Sequence, residues 1–250
     1  MSVRLAYGAA TDTGRRLTEN QDTYVVDYRE EDYPQQPALF VVCDGAGGQR
    51  AGKTASRLAV EQVHETFWAD TDADLAKRLV RSADRASAAI FEHSQHDPET
   101  EGMATTYVAA AFDADCCYIV NVGDSRAYRL HEGRIEKVTT DHTLIQDQLS
   151  TGLITEAQAA HSPYRHVITR YLGRQTVDVG AQDYAPFPLT PGDGFILCSD
   201  GLTDMVTEEE IRSVSASKNP QVAAQALVDL ANAHGGRDNI TVIVIRVGDP

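Results

Sequence analysis

Cysteine is scarce in this chain. Of 250 residues only Cys43, Cys116, Cys117 and Cys198 are cysteines, and none forms a C-x-x-C motif. Lying inside apolar runs, they read as buried free thiols of a reducing compartment rather than as metal ligands. Basic residues are also few: 22 Lys and Arg stand against 37 Asp and Glu, a formal charge of −15. Such a surface repels nucleic acid and anionic membrane, so neither is an expected main partner. No run approaches the ~20 apolar residues of a membrane span. The N-terminal stretch MSVRLAYGAATDTG has no apolar segment of signal-peptide length. The expected location is therefore the cytoplasm. Repeats, low-complexity stretches and Pro/Ser-rich linkers are lacking too, which predicts a single domain over residues 1–250.

What the chain does have is a set of short apolar, β-rich runs that stop at, or start just after, an aspartate flanked by glycine or asparagine. They are VVCDG (41–45), YIVNVGDS (118–125), FILCSDG (195–201) and DNITVIVI (238–245). Glycine or asparagine beside a strand end permits a tight turn, so the carboxylates of Asp44, Asp124, Asp200 and Asp238 can converge at one end of a sheet. Crowded carboxylates repel unless a cation sits among them. With no Cys or His pair at ligand spacing, hard oxygen donors of this kind suit Mg²⁺ or Mn²⁺ rather than zinc. Each aspartate taken alone also reads as an ordinary Asx-turn or helix N-cap; their number points to a multi-metal hydrolytic site.

Strands are predicted at 5–10, 23–26, 38–43, 105–112, 116–122, 126–130, 135–139, 177–184, 194–198 and 240–247, with a hairpin turn at His131-Glu132-Gly133-Arg134. Apolar residues at helical spacing predict two long helices between Ala51 and His93. Thr207-Glu208-Glu209-Glu210 reads as a capping box, Asn219-Pro220 as an N-cap before proline, and Thr155-Glu156 as a weaker start. The acidic segment 28–37 reads as a loop. Paired helices interrupt a mostly antiparallel strand set, so two packed sheets with helices outside them would bury both strand faces.

The ordered motifs TDTG…ENQD (11–22), VVCDGAGG (41–48), ATT (104–106), NVGDSRAY (121–128), TTDHTL (139–144), ITRYLG (168–173), LCSDGLTDMV (197–206) and GGRDNITVIVI (235–245) resemble the bacterial metal-dependent Ser/Thr protein phosphatases, the PPM or type 2C family. The resemblance runs from about Leu5 to Val247. It implies an α+β fold, a four-layer α-β-β-α sandwich of two mainly antiparallel sheets flanked by helix pairs, with a flap near the active site at about 144–167. It implies two Mn²⁺ or Mg²⁺ ions: Asp44 bridging them, the Gly45 carbonyl on one, Asp200 and Asp238 completing the other. Asp22 would orient metal-bound water, Asp124 would join Asp200 at a third, weaker metal site, and Asn239 would hold the turn. The implied reaction is hydrolysis of phosphoserine or phosphothreonine in proteins by a metal-activated water, opposing a cognate bacterial Ser/Thr kinase.

The match departs from the family pattern at two functional places. The arginine that relatives place five residues before the acid matched by Asp22 is here Leu17, leaving the neighbouring Arg16 as the candidate for substrate phosphate or as a plain exposed arginine. Ala46 stands where relatives carry histidine or methionine, so a leaving-group proton would come from water, or from His142 or His161, each of which also reads as a packing or surface histidine. Leu17 alone favours the alternative of a pseudophosphatase that binds or scaffolds phosphoproteins.

Overall fold

The computed structural model describes residues 3–159, 162–176, 186–216 and 219–248. Strand β3 (Ala38–Ala46) is buried along nearly its whole length, and its side chains divide by parity. Leu39, Val41 and Cys43 enter one core layer; Ala38, Phe40 and Val42 enter another. The two-residue period of a strand demands this split when both faces are covered. Strand β11 (Ile240–Gly248) behaves alike, sending Ile243, Ile245 and Val247 one way and Val242 and Val244 the other.

Three core layers require four layers of secondary structure. One sheet runs in the order β2 (Asp22–Asp27), β3, β5 (Tyr107–Phe112), β6 (Cys116–Val122), β9 (Pro186–Pro188), with the short β4 (Ala104–Thr105) also paired to β3. The other runs β1 (Arg4–Asp12), β11, β10 (Gly194–Cys198), β7 (Arg126–His131), β8 (Arg134–Lys137). Every pairing within them is antiparallel. Between the sheets Phe40, Phe112 and Phe195 meet edge to face, with ring centroids 5.5 and 5.3 Å apart. Helices α1 (Gln49–Ala69) and α2 (Leu75–His96) cover the outside of the first sheet with Phe67, Leu79 and Ile90. Helices α5 (Asp200–Thr203), α6 (Glu208–Ser215) and α7 (Pro220–Ala233) cover the second with Leu202, Ile211 and Leu227. The architecture is the α-β-β-α sandwich expected from the sequence.

Local signals land where they were read. Thr207 and Glu210 form a reciprocal capping box, and the Asn219 side chain caps α7. Glu132 and Gly133 both take positive φ, 49° and 74°, the requirement of a type I′ hairpin turn. Among the described residues of 144–167 lie two short helices, α3 (Leu144–Ser150) and α4 (Glu156–Ala159).

Three details differ from expectation. The predicted strand 105–112 is broken at Thr106, whose N–H donates to the Asp44 carbonyl instead of continuing a ladder. Strand β9 has proline at both ends, a composition that hides an edge strand from any propensity argument. Cys116 is half-buried, while Cys43, Cys117 and Cys198 are buried; all four are free. The predicted strand 177–184 lies outside the described residues. No helix among the described residues is long and apolar enough to cross a membrane.

Candidate metal centre

The two sheets deliver carboxylates to one end of the sandwich. Asp22 on β2 and Asp44 on β3 are direct cross-strand partners. Asp200 starts α5 two residues after β10 ends, and Asp238 lies two residues before β11 begins. Asp124 follows Gly123, whose φ of 111° turns the chain between β6 and β7. Asp44, Gly45, Asp124, Asp200 and Asp238 all line one cavity of about 400 Å³.

Backbone and hydroxyl contacts tie together the segments that carry these aspartates. The Asp44 N–H donates to Thr106 Oγ1 (3.0 Å), and that hydroxyl lies 2.7 Å from Ser125 Oγ, tying β3 to the turn that carries Asp124. Ser199 Oγ donates to Asp22 Oδ2 (2.7 Å) and accepts from the Thr241 N–H (3.0 Å), so one buried hydroxyl joins the two sheets at the site. Asn239, which also lines the cavity, ties it to the 13–21 loop. Its Oδ1 accepts from the Gln21 N–H (2.8 Å), and its Nδ2 donates to the carbonyls of Thr13 (2.8 Å) and Glu19 (3.1 Å). The Asn239 N–H donates to Asp238 Oδ1 (2.7 Å).

Glycine is required where these loops touch. A Cβ on Gly45 would collide with the Gly52 carbonyl oxygen, and one on Gly201 with the Asn239 carbonyl oxygen. Gly201→Ala is therefore expected to push α5 away from the 238–239 turn and separate Asp200 from Asp238. It should weaken manganese binding in calorimetry while lowering stability by about 1–3 kcal/mol, the usual cost of overpacking; unchanged manganese affinity would contradict this packing argument.

Without a cation the site is electrostatically frustrated. Burial pushes the Asp44 carboxyl well up, and Asp22, Asp200, Asp124 and Asp238 push it further. Asp200 is raised well above the ordinary value by burial, then by Asp124, Asp238 and Asp204. Asp22 is raised to about 6 by burial, tempered by the Ser199 hydroxyl, and Asp124 to about 6, again chiefly by burial. Asp238 is raised by burial and by Asp204. Asp200 Oδ1 is buried with no hydrogen-bond donor. Asp22 Oδ1 is likewise buried without a partner, and acceptor oxygens from five converging aspartates, two of them orphaned, fit hard divalent cations such as Mg²⁺ or Mn²⁺.

The structure brings Asp22, Asp44, Gly45, Asp124, Asp200 and Asp238 together, with Asn239 beneath them. It does not bring Arg16: that residue is exposed and absent from the cavity lining, where Leu17 sits. The Arg15 N–H is bonded to the Gly236 carbonyl (2.6 Å), and just beyond that anchor Leu17, itself exposed, lines the cavity. His142 is buried outside the cavity, with its Nδ1 accepting from the Gly123 N–H (3.2 Å), a packing role. His161 lies outside the described residues.

Sequence reasoning missed Asp204 and His166. His166 Nδ1 lies 3.8 Å from Asp200 Oδ2 and its Nε2 3.6 Å from Asp204 Oδ2, making a group of metal-ligating atoms within 4.8 Å of one another. Asp204 was findable: it follows Asp200 by four residues, one helical turn, and its N–H donates to the Asp200 carbonyl (2.8 Å). His166 carries no such signal, because only the fold places the end of the 144–167 segment over α5. Arg165 and Arg237 also line the cavity.

The chain is similar to known proteins over nearly its whole length. A family model for protein phosphatase 2C matches residues 15–231. The serine/threonine phosphatase stp of Listeria monocytogenes is 35% identical over 243 residues, 94% of this chain and 93% of the relative. The solved serine/threonine phosphatase of S. agalactiae superposes with a TM-score of 0.88 at 31% identity, over 97% of this chain and 99% of that one. The catalytic domain of the serine/threonine protein phosphatase PstP, solved in complex with two manganese ions, gives 0.85 at 31% identity, over 99% and 100%.

Proposed function

The chain belongs to the protein phosphatase 2C family, and we propose that it hydrolyses phosphoserine and phosphothreonine monoesters in proteins at the five-aspartate cavity. The observation that carries the reading is the convergence of Asp44, Asp200 and Asp238, from two different sheets, on one cavity that also takes in the Gly45 backbone.

In this assignment Asp44, the Gly45 carbonyl, Asp200 and Asp238 would hold two divalent ions, with Asp44 shared between them. Asp124 with Asp200 offers a third position, to which Asp204 and His166 lie close. Two bound Mn²⁺ or Mg²⁺ ions supply Lewis-acid chemistry, activating a water and stabilising charge on the phosphoryl oxygens. Asp22, held at Oδ2 by the Ser199 hydroxyl and with its buried Oδ1 without a partner, would accept a hydrogen bond from the attacking water and orient it. Asn239 keeps Asp238 in place through the 13–21 loop. Ala46 donates no proton, so the leaving alkoxide takes its proton from solvent in the open cavity.

We further propose cytoplasmic action against a Ser/Thr kinase, a reading supported by free buried thiols and by an acidic surface that disfavours nucleic acid and anionic membrane. A pseudophosphatase is disfavoured because Asp44, Asp124, Asp200 and Asp238 all line the cavity and Asp22 is the cross-strand partner of Asp44; Leu17 is the one feature in its favour. The test is manganese-dependent release of phosphate from a phosphothreonine peptide panel and from an autophosphorylated bacterial Ser/Thr kinase. Release that needs the metal supports the reading, and none from purified, folded, manganese-loaded protein refutes it.

A further inference from the structure

A phosphomonoester dianion entering this cavity meets Asp44, Asp124, Asp200, Asp204 and Asp238. Bound cations offset the inner carboxylates, but the mouth still needs its own positive group to hold the outer phosphoryl oxygens. The cationic side chains on the lining are Arg165, Arg237 and, when protonated, His166; Arg16 is not among them, and Leu17 contributes only an apolar edge.

Two of these groups are engaged. Arg165 Nε donates to His166 Nε2 (2.7 Å), and His166 in turn faces Asp200 and Asp204. Arg237 differs. It is exposed, it lines the cavity, and among the described residues its guanidinium makes no hydrogen bond or ion pair. Its backbone is nevertheless fixed. Gly235 and Gly236 take positive φ, 127° and 46°, and set the turn that presents it. The Gly236 carbonyl accepts from the Arg15 N–H, and a Cβ on Gly236 would crowd Arg15 Cγ at 2.9 Å. Asn239, two residues on, is bonded to Thr13, Glu19 and Gln21. The loops 13–21 and 235–239 are thus stitched side by side, and Leu17 and Arg237 line the same cavity from them.

We propose that Arg237 is the residue that holds the substrate phosphate in this protein, its guanidinium fork supplying from the 235–239 loop the cation that the adjoining loop lacks at Leu17. The assignment rests on the phosphatase reading of the site. A planar fork suits two phosphoryl oxygens, which a lysine at the same place would not match.

The test uses the manganese-loaded full chain and a phosphothreonine peptide. Arg237→Ala is expected to raise KM about tenfold to a hundredfold with kcat changed by no more than about twofold, the pattern of a lost ground-state contact to a charged group. Manganese affinity by calorimetry should be unchanged. Arg237→Lys should recover part of the loss, and Leu17→Arg placed in the Arg237→Ala background should lower KM again by about tenfold. Titration of inorganic phosphate into the manganese-loaded protein reads the same assignment without turnover, so wild-type protein that binds phosphate through Arg237 but turns nothing over would refute the phosphatase reading and not this one. Unchanged phosphate affinity in Arg237→Ala overturns the proposal. So does an effect confined to Arg165→Ala, or weakened manganese binding in Arg237→Ala, which would place its action on the metal ligands.

Discussion

Asp44→Ala is expected to lower phosphoester hydrolysis by at least about 10²-fold, the scale for losing a major electrostatic stabiliser, and Asp238→Ala by a similar order. Asp44 is the focus of the site: burial and four other aspartates all press on its carboxyl. A residue under such pressure is held for function, not stability. The variant therefore carries a second, opposite-signed expectation. Removing one negative charge from a crowd of like charges relieves repulsion, so metal-free Asp44→Ala should melt at or above metal-free wild type near neutral pH. Lost activity together with retained or raised thermal stability would separate a missing ligand from a misfolded chain. Near-normal turnover after manganese titration of both variants would remove Asp44 and Asp238 from the ligand set.

Chelation should abolish activity and change the way stability depends on pH. In the metal-free protein burial raises Asp22 and Asp124 to about 6 against 3.8 for an ordinary aspartate, and Asp44 and Asp200 are also raised well above that ordinary value. The folded state then holds more protons than the unfolded chain from about pH 4 upward through the raised values. This contribution is fully present below the unfolded value and is lost as pH rises through the folded ones, so the metal-free site is weakest at neutral and alkaline pH. Bound cations compete with those protons and reverse the loss. Saturating manganese should raise Tm by about 5–10 °C near pH 7.5, given a few kcal/mol of binding linkage on a chain of this size, and by clearly less near pH 5. Differential scanning fluorimetry with and without chelator checks this. A manganese shift that is absent, or larger at pH 5, would contradict the account of the five carboxylates.

Much of the site was legible because its chemistry is written locally. Three Asp-Gly or Asp-Asn pairs and one Gly-Asp pair at the edges of apolar runs mark strand ends, where the carboxylates can converge. The two-layer sheet was legible for a related reason: β3 and β11 are apolar at successive positions, which only burial on both faces explains. What stayed hidden depends on long-range placement. The pairing of β1 with β11 joins the two ends of the described chain, and no local signal encodes it. Ser199 has no local signal of its own, yet it joins β2 to the β10–β11 side of the fold. Arg16 was a candidate because it is charged and adjacent to the position relatives use; in three dimensions it is Leu17, just beyond an anchor at Arg15, that lines the cavity instead. His166 was passed over for His142 because proximity in sequence to a motif is not proximity in space.

The most direct measurement is anomalous diffraction at the manganese edge from crystals grown with Mn²⁺. The account predicts two strong peaks about 3.5–4 Å apart, with Asp44 between them, the Gly45 carbonyl beside one, and Asp200 with Asp238 around the other. A cavity without anomalous density, or peaks scattered so that Asp44 shares no ion with Asp238, would contradict it.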